Sequence, residues 1–290
     1  YREGQSMQVP EGLIASFRST LSQRSAAPAL LAEVLDLPGI SYLGDFMDTV
    51  DIDGLYVARQ HLRRVLGQEL GAELRDTYEQ MSDARPYRPT PEDIGRRSLK
   101  NRALAYLMAS GDMQCARLCE AQYQAQHNMT DVMAALVLLA DSELPARDDV
   151  LADFERRWRD DPLVMDKWFA VQAVSTRTDT LGRVRQLMGH PAFSLHNPNK
   201  VRALVGSFAN ANPVRFHAAD GSGYTFLQEQ VLALDPANPQ VAARLLRAVS
   251  RWQRFDEARQ EKMRGVLEGV AAAKVSKDVY EIAVKSLDAG

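Results

Sequence analysis

The residues best suited to chemistry lie in a segment that carries positive charge and no carboxylate. Between Leu181 and Ala219 the sequence contains no Asp or Glu. Its basic and imidazole side chains are Arg183, Arg185, His190, His196, Lys200, Arg202, Arg215 and His217. In a chain whose formal net charge is −3, this composition predicts a local positive field that would favour a negatively charged partner. Chance clustering on a solvated face is the alternative.

Two Asn-Pro pairs in this third of the chain have the pattern of helix starts. Residues 197–198 and 238–239 each place an amide cap before a proline in the first turn. Arg202 then falls in the second turn of one helix. Gln240 and Arg244 are four residues apart and project from one face of the other helix. Capping explains the asparagines and prolines, but it does not explain the arginines that follow them.

The sequence shows no motif for catalysis or for metal binding. It contains no H-E-x-x-H, and no two of its 5 histidines have the i, i+4 spacing of a helical metal site. Cys115 and Cys119 have no Cys or His set to complete a zinc site, so we expect them to face the core. The glycines at 221 and 223 lack the lysine and the strand of a phosphate-binding loop, and we expect a turn into a helix at 224–234. We therefore expect no catalytic residue and no metal ligand in this chain.

The elements that must position these residues are helices. Apolar residues recur at three- and four-residue spacing, and no convincing period-two strand is found. The predicted helices before the basic segment cover residues 11–21, 27–35, 42–49, 53–81, 91–110, 112–124, 130–140, 147–159, 163–174 and 180–188. Short polar connectors between helices of this length favour antiparallel hairpins. The predicted fold class is therefore all-α, an irregular superhelical (HEAT-like) array of antiparallel helical hairpins.

Length and composition narrow the class of protein. A chain of 290 residues with 46% hydrophobic and 25% charged residues is typical of a globular protein with one large domain or two smaller ones. The net charge of −3 gives no reason to expect nucleic-acid binding. No apolar run approaches the roughly 20 residues that cross a bilayer, so we expect no membrane partner. The chain begins at Tyr1 without a Met, which suggests a piece of a longer protein.

Four long segments carry a family resemblance. Residues 128–139 (NMTDVMAALVLL), 163–173 (LVMDKWFAVQA), 197–227 and 238–268 closely resemble the C-terminal region of the bacterial aminopeptidase N family. The likeness runs from about Pro10 to Leu287. It implies a single C-terminal α-superhelical domain over residues 10–290, preceded by a tail or boundary segment at residues 1–9.

The resemblance implies an activity of the full-length enzyme, of which this chain would be one domain. Members of the family are zinc metallopeptidases that remove amino-terminal residues from peptides. Their H-E-x-x-H zinc site and their G-x-M-E-N substrate motif lie in a separate catalytic domain, and neither motif occurs here. The resemblance therefore implies that this chain holds no cofactor, that zinc belongs to the full-length enzyme, and that the isolated chain is inactive.

The resemblance also suggests a role for three residues. In the family the helical domain closes a chamber over the catalytic zinc, and Arg202, Gln240 and Arg244 fall at positions that face this chamber. They would bind the leaving side of the substrate. The implied partners are the catalytic domain of the same polypeptide and peptide substrates, in a monomeric protein of the bacterial cytoplasm. The alternative is a free-standing helical-repeat scaffold that binds partner proteins.

Overall fold

The computed structural model describes residues 2–83 and 85–288. Within these two ranges the secondary structure is helical and no β-strand occurs, so the all-α prediction is confirmed. The chain divides into two compact units. The first contains Tyr1–Gly39 and Gly54–Val150, and the second contains Ile40–Asp53 and Leu151–Gly290. No helix in the described ranges is both long enough and apolar enough to cross a membrane.

The helices follow one another with short connections, as the sequence predicts. In chain order they are α1 (Glu11–Ser22), α2 (Pro28–Val34), α3 (Ile40–Gly44), α4 (Ile52–Glu69), α5 (Gly71–Met81), α6 (Pro91–Ala109), α7 (Met113–Ala125), α8 (Met129–Ala140), α9 (Ala146–Trp158), α10 (Pro162–Ala173), α11 (Thr180–Leu187), α12 (Pro198–Val201), α13 (Ser207–Ala211), α14 (Pro213–Phe216), α15 (Ser222–Leu234), α16 (Pro239–Leu246), α17 (Glu257–Ala272) and α18 (Lys277–Asp288). A π-helix covers Arg202–Gly206, and 3-10 turns cover Arg247–Val249 and Trp252–Arg254.

In the first unit, α6 is the central helix. It packs against α2, α5, α7 and α8. Leu99, Ala103 and Leu107 recur every four residues and are fully or almost fully buried, which explains why this helix can lie among several neighbours. The start of α6 is fixed locally, because the Thr90 hydroxyl accepts a hydrogen bond from the Asp93 amide at 3.2 Å.

The predicted long helix over residues 53–81 is wrong in one respect. It is broken at Leu70, where φ is −113° and ψ is 16°, so that α4 and α5 are separate helices. Leu66, Leu70 and Leu74 are nevertheless all buried. Side chains spaced by four residues drift about 40° around an α-helix at each step, and the break allows this stripe to keep facing the interior.

The predicted helix over residues 42–49 is also shorter and displaced. Helix α3 ends at Gly44, and the backbone that follows pairs with Arg254 instead of continuing the helix. The Arg254 guanidinium donates to the carbonyls of Gly44 at 3.1 Å and Met47 at 2.6 Å. The Val50 amide donates to the Arg254 carbonyl at 2.6 Å. These bonds hold residues 40–53 in the second unit.

The second unit has an aromatic core. Phe208 contacts Phe216 and Phe226 edge-on, with ring centroids 6.1 and 5.6 Å apart. Trp168 and Phe169 are buried on α10, and the Trp168 indole donates to the Leu151 carbonyl at 2.9 Å. Trp158 and Trp252 are only half-buried.

Candidate functional site

Arg202 lies in the middle of one continuous helix that runs from α12 through the π-helix into α13. The predicted cap at the start of this helix is confirmed, because the Asn197 side chain accepts from the Asn199 amide at 2.9 Å. The Arg202 side chain is exposed and folds back along its own helix. Its Nε donates to the Pro198 carbonyl at 3.3 Å, and its Nη2 donates to the Asn199 side chain. Arg202 forms no ion pair with any residue that the structure describes.

The π-helix at Arg202–Gly206 was not predicted. A π-turn adds one residue to a helical turn and is found frequently at functional sites. Here the Arg202 carbonyl accepts from the Ser207 backbone amide and also from the Ser207 hydroxyl, the latter at 3.3 Å. The segment RALVG contains no residue type that would distinguish a π-turn from an ordinary α-helix, so the sequence offered no usable signal.

Gln240 and Arg244 lie on α16, one turn apart on its exposed face. The predicted cap is again present, since the Asn238 side chain accepts from the Val241 amide at 3.2 Å. The opposite face of α16 is buried through residues that include Ala242 and Leu246. Neither the Gln240 nor the Arg244 side chain bonds to another group in the described ranges, which leaves both available to a ligand.

The helix that carries Arg202 approaches α16 within the second unit. A Cβ placed on Gly206 would lie 3.9 Å from Leu245 Cδ2, next to Arg244 in sequence. The structure therefore brings the two helices together and gives Gln240 and Arg244 one shared face. It shows no hydrogen bond from Arg202 to either of them in the part of the chain that is described. That all three side chains meet on one peptide stays a prediction.

Two of the other cations in the basic segment are matched by carboxylates from elsewhere in the second unit. Arg185 pairs with Glu229 at 2.7 Å, and Lys200 is buried and pairs with Asp166 at 2.7 Å. His190 Nε2 lies 3.2 Å from Glu155. The expected positive field is therefore smaller than the segment's composition suggested.

His217 is a core residue. Its ring stacks on Phe255 with centroids 4.4 Å apart, and its Nδ1 lies 2.9 Å from the Tyr224 hydroxyl. Burial, with a smaller contribution from the positive charge of Arg259, lowers the pKa of His217 to about 3. The imidazole is thus neutral at physiological pH and adds nothing to the charge of the site.

Gly221 lies in the predicted turn, whereas Gly223 lies in the first turn of α15. Gly221 has φ of 78°, in the left-handed region that glycine tolerates best. The Asp220 carboxylate accepts from the Ser222 amide at 2.9 Å, and α15 begins at Ser222, two residues earlier than expected. A Cβ on Gly223 would lie 2.2 Å from the Phe216 carbonyl oxygen, so the close approach of the two segments requires glycine.

The described residues of this chain do not fit a zinc site. Among the residues that the structure describes, no group of three or more His, Cys, Asp or Glu could hold a metal ion. Cys115 and Cys119 are both buried free thiols on α7, as predicted. Burial raises the pKa of Cys119 to about 12, which opposes the thiolate form that a metal would need.

Three curated proteins resemble the chain over most of its length. Aminopeptidase N of Escherichia coli (strain K12) is 39% identical over 289 residues, which is 99% of this chain and 33% of that protein. Aminopeptidase N of Haemophilus influenzae is 35% identical over 288 residues, again 33% of its length. Aminopeptidase N of Caulobacter vibrioides is 37% identical over 264 residues, 31% of its length. The chain therefore spans about a third of these relatives.

A solved structure and a family model agree with these relatives. The crystal structure of Legionella pneumophila aminopeptidase A in complex with aspartic acid superimposes with a TM-score of 0.91 at 30% identity, covering 99% of this chain and 35% of that one. Residues 1–288 match the model of a domain of unknown function, DUF3458_C, described as ARM repeats. The chain belongs to this ARM-repeat family and is similar to the C-terminal helical domain of the aminopeptidase N proteins.

Proposed function

We propose that this chain is the helical domain of an aminopeptidase, where it closes a chamber over the active site and holds the peptide by its leaving side. Arg202, Gln240 and Arg244 are the proposed binding residues. The observation that carries the proposal is that Gln240 and Arg244 share one exposed helix face, and that neither side chain bonds to another group in the described structure.

The chemistry of these side chains suits a short peptide. A peptide offers backbone carbonyls and a terminal carboxylate, and an arginine offers a planar fork of donors to either of them. Each charge-assisted hydrogen bond contributes about 1.5–3 kcal/mol. Gln240 adds both an amide donor and a carbonyl acceptor one helical turn from Arg244. These groups position a substrate and transfer no proton.

The hydrolytic step would be performed by another part of the full-length protein. The zinc that the family resemblance implies has no fitting ligand set among the described residues of this chain. We propose that the partner of this domain is the catalytic domain of the same polypeptide, in a monomeric cytoplasmic enzyme that acts on peptides.

Kinetics of the full-length enzyme would test the role of Arg244. We expect Arg244→Ala to lower kcat/KM for an alanyl tripeptide by about tenfold or more, since one charge-assisted contact is lost. Turnover of alanyl p-nitroanilide, which lacks a second residue to bind, should change by less than about threefold. Arg244→Lys should recover little, because an ammonium group cannot form the fork.

Arg247→Ala is the matched control. Arg247 is exposed one turn beyond Arg244. We expect its replacement to leave the turnover of both substrates unchanged. Equal losses on the tripeptide and the anilide in Arg244→Ala would contradict a leaving-side role. Full tripeptide activity in Arg244→Ala would show that Arg244 does not bind the substrate.

A further inference from the structure

Three arginines meet at a small cavity in the first unit, far in sequence from the proposed peptide site. Arg59 and Arg63 lie one turn apart on α4, and Arg102 lies on α6. The cavity has a volume of about 130 Å³, well above the roughly 10–15 Å³ that one water needs. Its remaining lining residues are Asp36, Leu37, Ala105 and Tyr106.

Two of the three arginines have clear structural partners. Arg59 donates to the carbonyls of Pro38 at 2.9 Å and Leu37 at 3.2 Å, just beyond the end of α2. Arg102 forms an ion pair with Asp36. These contacts satisfy the backbone that leaves α2, and they account for both side chains without a ligand.

The hydrogen bonds of Arg63 are weaker than those of Arg59 and Arg102. Its guanidinium makes two contacts, to Gln60 Oε1 and to the Ala105 carbonyl, and both are long at 3.4 Å. A guanidinium carries five N–H donors, and good N–H···O bonds measure about 2.7–3.2 Å. Arg63 forms no ion pair within residues 2–83 and 85–288.

The surroundings of Arg63 disfavour its charge. Burial and then the neighbouring Arg59 lower the pKa of Arg63, and Arg102 acts in the same direction. Tyr106 and Asp141 oppose this shift, but neither is an ion-pair partner of Arg63. A half-buried cation beside two like charges is costly unless an anion joins it.

We propose that this cavity binds a phosphate group, held by Arg63 with Arg59 and Arg102. Three guanidinium groups line the cavity with one carboxylate, Asp36, and the Asp141 carboxylate offsets only part of the remaining positive charge at Arg63. A phosphate is attracted by this excess, and its tetrahedral oxygens can accept from several guanidinium forks at once. A carboxylate has too few oxygens to match this number of donors. This proposal is independent of the peptidase role.

Calorimetric titration of the purified 290-residue chain would test the site. The probes are inorganic phosphate, glycerol 3-phosphate and acetate, each at an ionic strength matched with sodium chloride. We expect saturable binding of inorganic phosphate. Glycerol 3-phosphate binding as tightly as phosphate would identify a phosphate ester as the occupant, and exclusion of the ester would identify the free ion. Acetate binding as tightly as phosphate would overturn the assignment.

Substitutions of Arg63 locate the binding. We expect Arg63→Met to weaken phosphate binding by at least about tenfold, because charge-assisted bonds are lost. Its melting temperature without phosphate should not fall, because the uncompensated charge is gone. Arg63→Lys keeps the charge without the fork, and should also bind phosphate more weakly.

Arg64→Met is the matched control, since Arg64 is the next residue on α4, is exposed and does not line this cavity. It should bind phosphate like the unmodified chain. The proposal is wrong if no saturable phosphate binding is measured, or if Arg63→Met, Arg63→Lys and Arg64→Met all bind phosphate equally.

Discussion

Lys100 and Asp131 form an ion pair inside the first unit, with 2.5 Å between Lys100 Nζ and Asp131 Oδ2. The two side chains are 10% and 7% exposed. The same carboxylate accepts from the side-chain amides of Asn101 and Asn128, both at 2.9 Å. The pair joins α6 to the first turn of α8. Lys100 therefore does not lie on a solvated face of α6.

Removing one member of this pair should be strongly destabilising. We expect Lys100→Met to lower the free energy of unfolding by about 3–5 kcal/mol, because the Asp131 carboxylate would stay buried without its counter-ion. The double variant Lys100→Met with Asp131→Leu should lose less free energy of unfolding, since neither buried charge remains. Urea denaturation measures both. The exposed Lys167→Met should change stability by less than about 0.5 kcal/mol. A loss in Lys100→Met no larger than this would argue against the pair.

The buried His217 should make stability depend on pH. Burial, followed by Arg259, lowers the pKa of His217 to about 3, below the value of about 6.5 expected in the unfolded chain. The unfolded state therefore binds more protons between these values. The contribution of His217 is complete at neutral pH, is lost progressively below about pH 6.5 and is gone near pH 3, with a slope of at most about 1.4 kcal/mol per pH unit.

Urea midpoints measured between about pH 7 and pH 4.5 would check this slope. We expect His217→Gln to be less stable at neutral pH and to lose less stability on acidification than the unmodified chain. The exposed His196→Gln should keep the original slope. If His217→Gln and the unmodified chain lose stability in parallel, His217 is not the responsible group.

Two glycines beside the α4–α5 break should respond in opposite ways to alanine. A Cβ on Gly67 would lie 2.3 Å from the Tyr106 carbonyl oxygen of α6, so Gly67→Ala must push two helices apart and should cost about 1–3 kcal/mol. A Cβ on Gly71 would meet no atom of the described structure within 4 Å. Gly71→Ala should therefore stabilise the chain by up to about 1 kcal/mol through helix propensity. Thermal unfolding of both variants separates steric contact from propensity, and a similar loss in both would refute the close approach.

The helix starts could be predicted because they depend on a few adjacent residues. Thr90, Asn197 and Asn238 each cap the helix that the sequence assigned to them. The break at Leu70 and the early end of α3 could not be predicted in this way. The end of α3 depends on a residue far away in the sequence, because the Arg254 guanidinium binds the carbonyls of Gly44 and Met47. The break keeps Leu70 buried between Leu66 and Leu74, and burial depends on tertiary packing.

In the candidate site, too, local features could be predicted from the sequence and tertiary contacts could not. That Gln240 and Arg244 share a face follows from their spacing on one helix, and the structure agrees. The pairing of Arg185 with Glu229 and of Lys200 with Asp166 could not be predicted in this way, because the approach of these carboxylates is a matter of tertiary structure. The convergence of the three binding residues stays a prediction, as does a domain boundary near residue 10.

The π-helix after Val201 makes the direction of Arg202 tolerant of chain length. One extra residue in a regular α-helix would rotate everything before it by about 100° relative to everything after it. The wider π-turn takes up that residue locally, so the helix before it and the helix after it keep nearly the alignment of an unbroken α-helix. A single deletion between Arg202 and Gly206 would therefore restore an ordinary α-helical turn, with Phe208 still in the core and Arg202 on the same side of the helix.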